Sequence, residues 1–165
     1  MIMFTIRADY HDTVEVQTSL DLVRRFFTDI RNFVEMMPGV EGIHTDADGK
    51  THWKVRVDVP VIGSFTQRFA VCLMENDTDR IEWLPAPGET QNLLRYGAEF
   101  LEKAANVTLV RFSQNVELRR KSARELHPLA GFAGEAIISK EMTKGMAEMV
   151  KTFVRKAKEK LEKQL

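Results

Sequence analysis

The hydrophobic pattern changes its period in a definite order along the chain. Val14 and Val16 alternate with polar neighbours over residues 13–17, which predicts a strand. Thr18 and Ser19 then offer capping hydroxyls before Leu20, Val23, Phe26, Phe27 and Ile30, which recur at helical spacing. Asp21 suits the positive end of that helix. A second short helix is predicted over residues 32–37, stopped by Pro38-Gly39. From residue 41 to residue 118 the runs read as strands. Residues 41–45 end in the turn Asp46-Ala47-Asp48-Gly49. Trp53, Val55, Val57 and Val59 share one face of the next run, with His52, Lys54, Arg56 and Asp58 on the other. Phe65, Gln67, Phe69, Val71 and Leu73 share a face over residues 65–73, and Ile81 pairs with Trp83 over 80–84. Leu94, Tyr96, Ala98 and Phe100 form one inner face, and Val110, Phe112, Gln114, Val116 and Leu118 form the last. Ala104-Ala105-Asn106 is the turn between these two strands, Asn106 being able to adopt a left-handed conformation.

Strands that are apolar on one side need a cover. Ile138, Met142, Met146, Met149, Val150, Phe153, Ala157 and Leu161 supply it as one long amphipathic helix. The expected fold is therefore α+β: a curved antiparallel sheet of about seven strands around a long C-terminal helix. Two short helices follow its first strand. We expect one domain over residues 1–165, with residues 1–11 adding an edge strand because Phe4, Ile6 and Ala8 alternate with Thr5, Arg7 and Asp9. Residues 125–132 are apolar but irregular, and His127 before Pro128 is not expected inside a helix.

Composition narrows the function classes. Lys+Arg and Asp+Glu are equal at 24 each, so no basic excess points to nucleic acid. A single cysteine, Cys72, leaves no internal disulfide and no zinc site with two or more cysteines. The first residues lack the basic start and apolar run of a signal peptide, and the expected location is cytoplasmic. The four histidines, His11, His44, His52 and His127, lie in separate segments without metal-ligand spacing. Phosphate loops, dinucleotide fingerprints, nucleophile elbows and zinc motifs are absent from the sequence. No catalytic residue, metal or cofactor is therefore assigned.

What the pattern does offer is a set of polar guests on apolar faces. Gln67, Tyr96 and Gln114 each fall on the inner face of a different strand. Each either satisfies itself on the backbone or orients a ligand in a mostly apolar cavity. Met142, Met146 and Met149 line one stripe of the terminal helix, where methionine either fills core or adapts to a guest. The expected ligand-binding set is Trp53, Gln67, Phe69, Trp83, Tyr96, Phe100, Phe112, Gln114, Met142, Met146 and Met149. From Lys151 onward six basic residues stand against two acidic ones. That face is either simply solvated or meets an anionic membrane surface or an acidic partner.

A strand, then Thr18-Ser19-Leu20-Asp21-Leu22-Val23 opening a helix, then Asp29, Asn32-Phe33 and Met37-Pro38-Gly39-Val40, with Gly63-Ser64-Phe65 further on, resembles a known pattern. It is similar to the START-like, Bet v 1-like (SRPBCC) superfamily, and within it to the carbon monoxide dehydrogenase G-subunit family. The resemblance spans roughly residues 12–160 and implies the helix-grip fold. It also implies a hydrophobic cavity between sheet and terminal helix for a lipid, quinone or polyketide-like ligand. The reading that follows is a non-enzymatic binding or transport protein for a small hydrophobic molecule. The alternatives are a polyketide cyclase or aromatase, with Tyr96 as acid and Arg68 or Arg95 as a gateway arginine, and an accessory protein. The accessory protein would recruit or mature a molybdenum-containing dehydrogenase through the basic helix or the outer sheet face. Oligomeric state is not readable from the sequence.

Overall fold

The computed structural model describes residues 3–60 and 62–163. Its elements in chain order are β1 (Phe4–Val16), α1 (Leu20–Thr28), α2 (Ile30–Met36), β2 (Val40–Thr45), β3 (Thr51–Val59), β4 (Gly63–Asn76), β5 (Arg80–Pro85), β6 (Asn92–Ala104) and β7 (Val107–Arg120). The short helices α3 (Ala123–Leu126) and α4 (Ala130–Ala133) then lead into the long α5 (Glu135–Glu162). The seven strands form one antiparallel sheet in the order β1-β7-β6-β5-β4-β3-β2. The curved sheet grips α5, which is the helix-grip fold.

Local chemistry sets the element ends. Ser19 caps α1, its Oγ accepting from the Leu22 N–H at 3.4 Å, and Asp21 pairs with Arg25 one turn on. Asp29 ends α1 and caps α2, accepting from the Arg31 N–H at 3.1 Å. Asn106 turns β6 into β7 with a φ of 59°. His127 is extended at the end of α3, as its place before Pro128 demands.

The N-terminal alternation is not a separate strand. Phe4 to Val16 is one continuous β1, paired with β7 along its whole length. Met1 and Ile2 of the predicted edge strand lie outside the described residues. The free side of β1 is sealed by α5: the Thr5 N–H donates to Glu135 at 2.8 Å, Arg7 N–H to Ser139 at 3.1 Å, and Gln17 N–H to Glu162 at 2.8 Å. Three backbone donors that would template another strand are thus occupied. The opposite edge, β2, is short and carries a bulge between Val40 and Gly42.

The inner face follows the register. Ile6, Ala8, Val71, Ile81, Leu94, Ala98, Val110 and Leu118 are buried there, against Ile138, Met142, Met146, Val150, Phe153, Ala157 and Leu161 of α5. The helices α1 and α2 drive Phe26, Phe27 and Phe33 into the same space. Phe27 meets Phe112 edge-on at 4.9 Å and lies 5.9 Å from Phe100 and 5.8 Å from Phe153. Phe33 stacks on Phe153 at 4.7 Å. One half of the interior is thereby filled with interlocking rings. Among the described residues no helix is long and apolar enough to cross a membrane.

Candidate functional site: a hollow between sheet and terminal helix

The other half of the interior is not filled. A cavity of about 440 Å³ opens between β2, β3, β4, β6, β7 and the middle of α5. That is within the roughly 300–1,000 Å³ of small-molecule sites. Its wall is Trp53, Val55 and Val57 from β3, Phe69 from β4, Leu94 from β6, and Gln114 and Val116 from β7. Met142, Gly145, Met146 and Met149 close it from α5, and Met37, Pro38, Gly39 and Val40 form a lip.

The lip is held by a tight backbone contact. Gly39 sits at a φ of 87°, and the Arg56 N–H donates to its carbonyl at 2.7 Å. A Cβ here would lie 3.1 Å from both the Arg56 carbonyl and the Met149 methyl. Only glycine suits that conformation and that approach. Gly145 opens the opposite side. It lies within α5 and a Cβ there would find only the Asp58 carbonyl, at 4.0 Å.

Glu41, Arg56 and Asp58 also border the cavity, but as exposed residues. Their side chains are engaged on the outer face. Asp58 accepts from Ser64 and lies 3.5 Å from Arg56, and Thr66 donates to Glu41 at 3.3 Å. The Ser64 hydroxyl, with Arg56 beside it, holds the Asp58 carboxyl below the usual carboxylate range.

The expected ligand residues divide between the two halves. Trp53, Phe69, Gln114, Met142, Met146 and Met149 line the cavity. Phe100 and Phe112 do not; they pack on Phe27 in the filled half. Tyr96 is buried edge-on against Phe33 at 5.3 Å, away from the wall of the cavity. Its hydroxyl has no partner among the described residues, and burial pushes its pKa well above the ordinary tyrosine value. Trp83 lies opposite Tyr96 on β5, half-buried and likewise off the wall. Gln67 is on the inner face with its amide oxygen already engaged. Its Oε1 accepts from Asn92 and from Arg120, both at 3.0 Å. This trio has a structural reason. β5 ends at Pro85, so β4 and β6 approach, and Asn92 bridges them by donating to the Arg68 carbonyl at 2.8 Å. Arg120 gives its remaining bonds to Asn92, Gln91 and Arg119 oxygens, and desolvation pulls its pKa down.

Met37, Pro38, Gly39, Val40, Val55, Val57, Leu94, Val116 and Gly145 are wall residues that sequence reasoning does not assign to the ligand site. Val55 and Val57 share the alternating face of Trp53, and Gly145 interrupts the methionine stripe; these are the available signals. A second hollow, about 630 Å³, lies on the outer face around Gly97 and Ser113, with Arg80, Arg95, Glu99 and Arg111 about it. Arg95 therefore faces away from the inner cavity, and Arg68 is likewise exposed on the outer face. Among the described residues no group of three or more His, Cys, Asp or Glu is placed to hold a metal ion.

Neither a family model nor a curated protein sequence matches the chain. Solved structures do. The START superfamily protein from Mycobacterium smegmatis superposes with a TM-score of 0.61 at 14% identity, covering 95% of this chain and 99% of that one. The Streptomyces aromatase/cyclase Zhui gives 0.60 at 14% identity, covering 92% and 93%. The di-domain ARO/CYC StfQ of the steffimycin biosynthetic pathway gives 0.63 at 13% identity over 96% of this chain. The chain spans about half, 52%, of StfQ. With seven antiparallel strands curled about one long C-terminal helix, this chain has the START-like, Bet v 1-like fold.

Proposed function

We propose that the protein binds or carries a small hydrophobic molecule in the cavity between the sheet and α5. The observation that carries this is the 440 Å³ hollow walled by Trp53, Phe69, Leu94, Met142 and Met146 with the single amide Gln114 among them. Transfer of apolar ligand surface out of water supplies the affinity, at about 25 cal/mol per Å². Methionine side chains let the wall follow ligands of somewhat different shape. Titration with the neutral fluorophore N-phenyl-1-naphthylamine tests the reading. Saturable one-site binding is expected, lost in Gly145→Leu, whose side chain enters the cavity from a helical position that tolerates it. Absence of saturable binding to the unaltered protein overturns the proposal.

A cyclase-type enzyme is the second reading, supported by the likeness to StfQ and Zhui. Its acid would be Tyr96, whose buried hydroxyl would first have to be uncovered from beside Phe33 to reach a substrate in the cavity. Turnover of a poly-ketone substrate that disappears in Tyr96→Phe would favour it. The third is recruitment or maturation of a molybdenum-containing dehydrogenase. It rests on the sequence resemblance to the carbon monoxide dehydrogenase accessory family and on the exposed Lys151, Arg155, Lys156 and Lys160 of α5. Co-purification lost on reversing those charges is its test.

A further inference from the structure

The hollow of about 630 Å³ on the outer face of the sheet takes no part in the function proposed above. Its floor is one cross-strand pair, Gly97 of β6 opposite Ser113 of β7, in a row that His11 of β1 and Glu82 of β5 continue. Side chains standing on a sheet normally cover its face, and a glycine leaves a gap. Nothing beneath Gly97 demands that gap. Its φ is not positive, and a Cβ there would meet only the Ile81 carbonyl, at 3.7 Å, an ordinary contact. The missing side chain matters only for the space above it.

That space is lined with uncommitted donors. Arg95 stands opposite Asn115 and Arg111 opposite Glu99, so the Gly97–Ser113 pair lies midway between two exposed arginines. Among the described residues neither guanidinium makes an ion pair or a side-chain hydrogen bond, and the half-buried Ser113 hydroxyl and Asn115 amide are likewise without partners. Most of the acids nearby are committed. Glu82 accepts from Arg80 at 2.7 Å, and Asp12 accepts from the Tyr10 hydroxyl and the Thr13 N–H, both at 2.8 Å. Glu99, opposite both Arg80 and Arg111, is the acid left to compete with an incoming anion. Three guanidinium groups thus face Glu82 and Glu99 across the hollow. Guanidinium forks match phosphoryl oxygens bidentately, and neutral hydroxyl and amide donors complete such a site.

We propose that this outer hollow binds a diphosphate group, free or carried on a small molecule. Arg95 and Arg111 grip it from opposite ends, and Ser113 and Asn115 donate to it from the floor. The site lies on the other face of the sheet from the cavity against α5 and stands or falls independently of it.

Calorimetric titration of the full chain at pH 7.5 in 0.15 M NaCl, where exposed charges beyond about 8 Å are screened, tests the proposal with inorganic pyrophosphate and with ADP. Saturable one-site binding of pyrophosphate is expected. It should weaken at least tenfold in Arg95→Gln/Arg111→Gln, and as much in Gly97→Val, which fills the floor without removing charge. Glu99→Gln should tighten it several-fold. The charge-matched control Lys151→Gln/Lys156→Gln, on exposed positions of α5, should stay within twofold. Thermal melts confirm that each variant is folded. ADP binding more tightly than pyrophosphate assigns the group to a larger molecule, and equal affinity assigns the free anion; both support the site. Absence of saturable binding of either probe overturns the proposal. So does binding that survives both Gly97→Val and the arginine variant, or that falls equally in the α5 control, which would mark general attraction of charge.

Discussion

The two halves of the interior are built from the same sheet and the same helix, yet one is solid and the other hollow. Around Phe27 the rings of Phe26, Phe100, Phe112 and Phe153 lie with centroids 4.9 to 5.9 Å apart. Around Met146 the facing strand residues are Val55, Val57, Leu94 and Val116, and about 440 Å³ stays open between them. The difference is made by α1 and α2. They insert Phe26, Phe27 and Phe33 over one end of the sheet only, and Pro38-Gly39 then turns the chain away to become the lip. Phe33 marks the frontier, touching Phe153 on one side and Trp53 on the other. Close packing confers stability in the first half. In the second, packing has been given up for space.

Truncating a ring in the filled half should have the largest effect. Phe27→Ala is expected to cost about 3–5 kcal/mol, and Met146→Ala, beside space already empty, nearer 2 kcal/mol, the low end for buried residues. Urea denaturation of both variants measures the contrast, and equal losses would mean that the halves are packed alike. Gly39→Ala attacks the lip. Its φ of 87° and the 3.1 Å approach to the Arg56 carbonyl make alanine strained. A loss of about 1–2 kcal/mol is expected from the left-handed conformation alone, together with slower entry of N-phenyl-1-naphthylamine in stopped-flow mixing. Gly145→Leu should go the other way in stability, gaining about 0.5–1 kcal/mol of helix propensity, while abolishing probe binding. A variant that is stabilised and still binds would show that the cavity lies elsewhere.

The smallest signal is spectroscopic. The chain has two tyrosines. Desolvation, with the hydrogen bond to Asp12, pushes Tyr10 up to about 12, and burial holds Tyr96 well above its ordinary value. Both folded-state values are raised. Their contribution to stability is therefore complete below the ordinary tyrosine pKa, about 10, and is lost as the pH climbs through the folded values. Absorbance of the native protein near 295 nm should stay flat up to roughly pH 10.5, then rise as Tyr10 ionises near its folded value of about 12, with Tyr96 following only on unfolding. An earlier rise that persists in Tyr10→Phe would show that water reaches Tyr96, and so that the solid half is not solid.

Much of this arrangement can be read from residue order. The period-two runs place Trp53, Phe69 and Gln114 on inner faces, and the three-to-four spacing places Met142, Met146 and Met149 on one stripe of α5. The same patterns cannot separate Phe100 and Phe112 from that wall, because alternation reports which way a side chain faces and not what meets it there. Val55 and Val57 escape notice because an aliphatic on an inner face looks the same beside a void as beside a neighbour. Gln67 is ambiguous for a related reason. Its partners Asn92 and Arg120 lie 25 and 53 residues away along the chain, brought near only because β5 is short.

By itself, then, the order of polar and apolar residues determined the elements, their inner faces and the wrapping of sheet around helix, since each depends on neighbours within a few positions. Where the interior closes and where it gapes was decided by the tertiary structure. That outcome depends on the angle at which α1 and α2 enter and on how far Gly39 and Gly145 let backbones and side chains draw together. Those are sums of contacts between distant segments, and no local period encodes them.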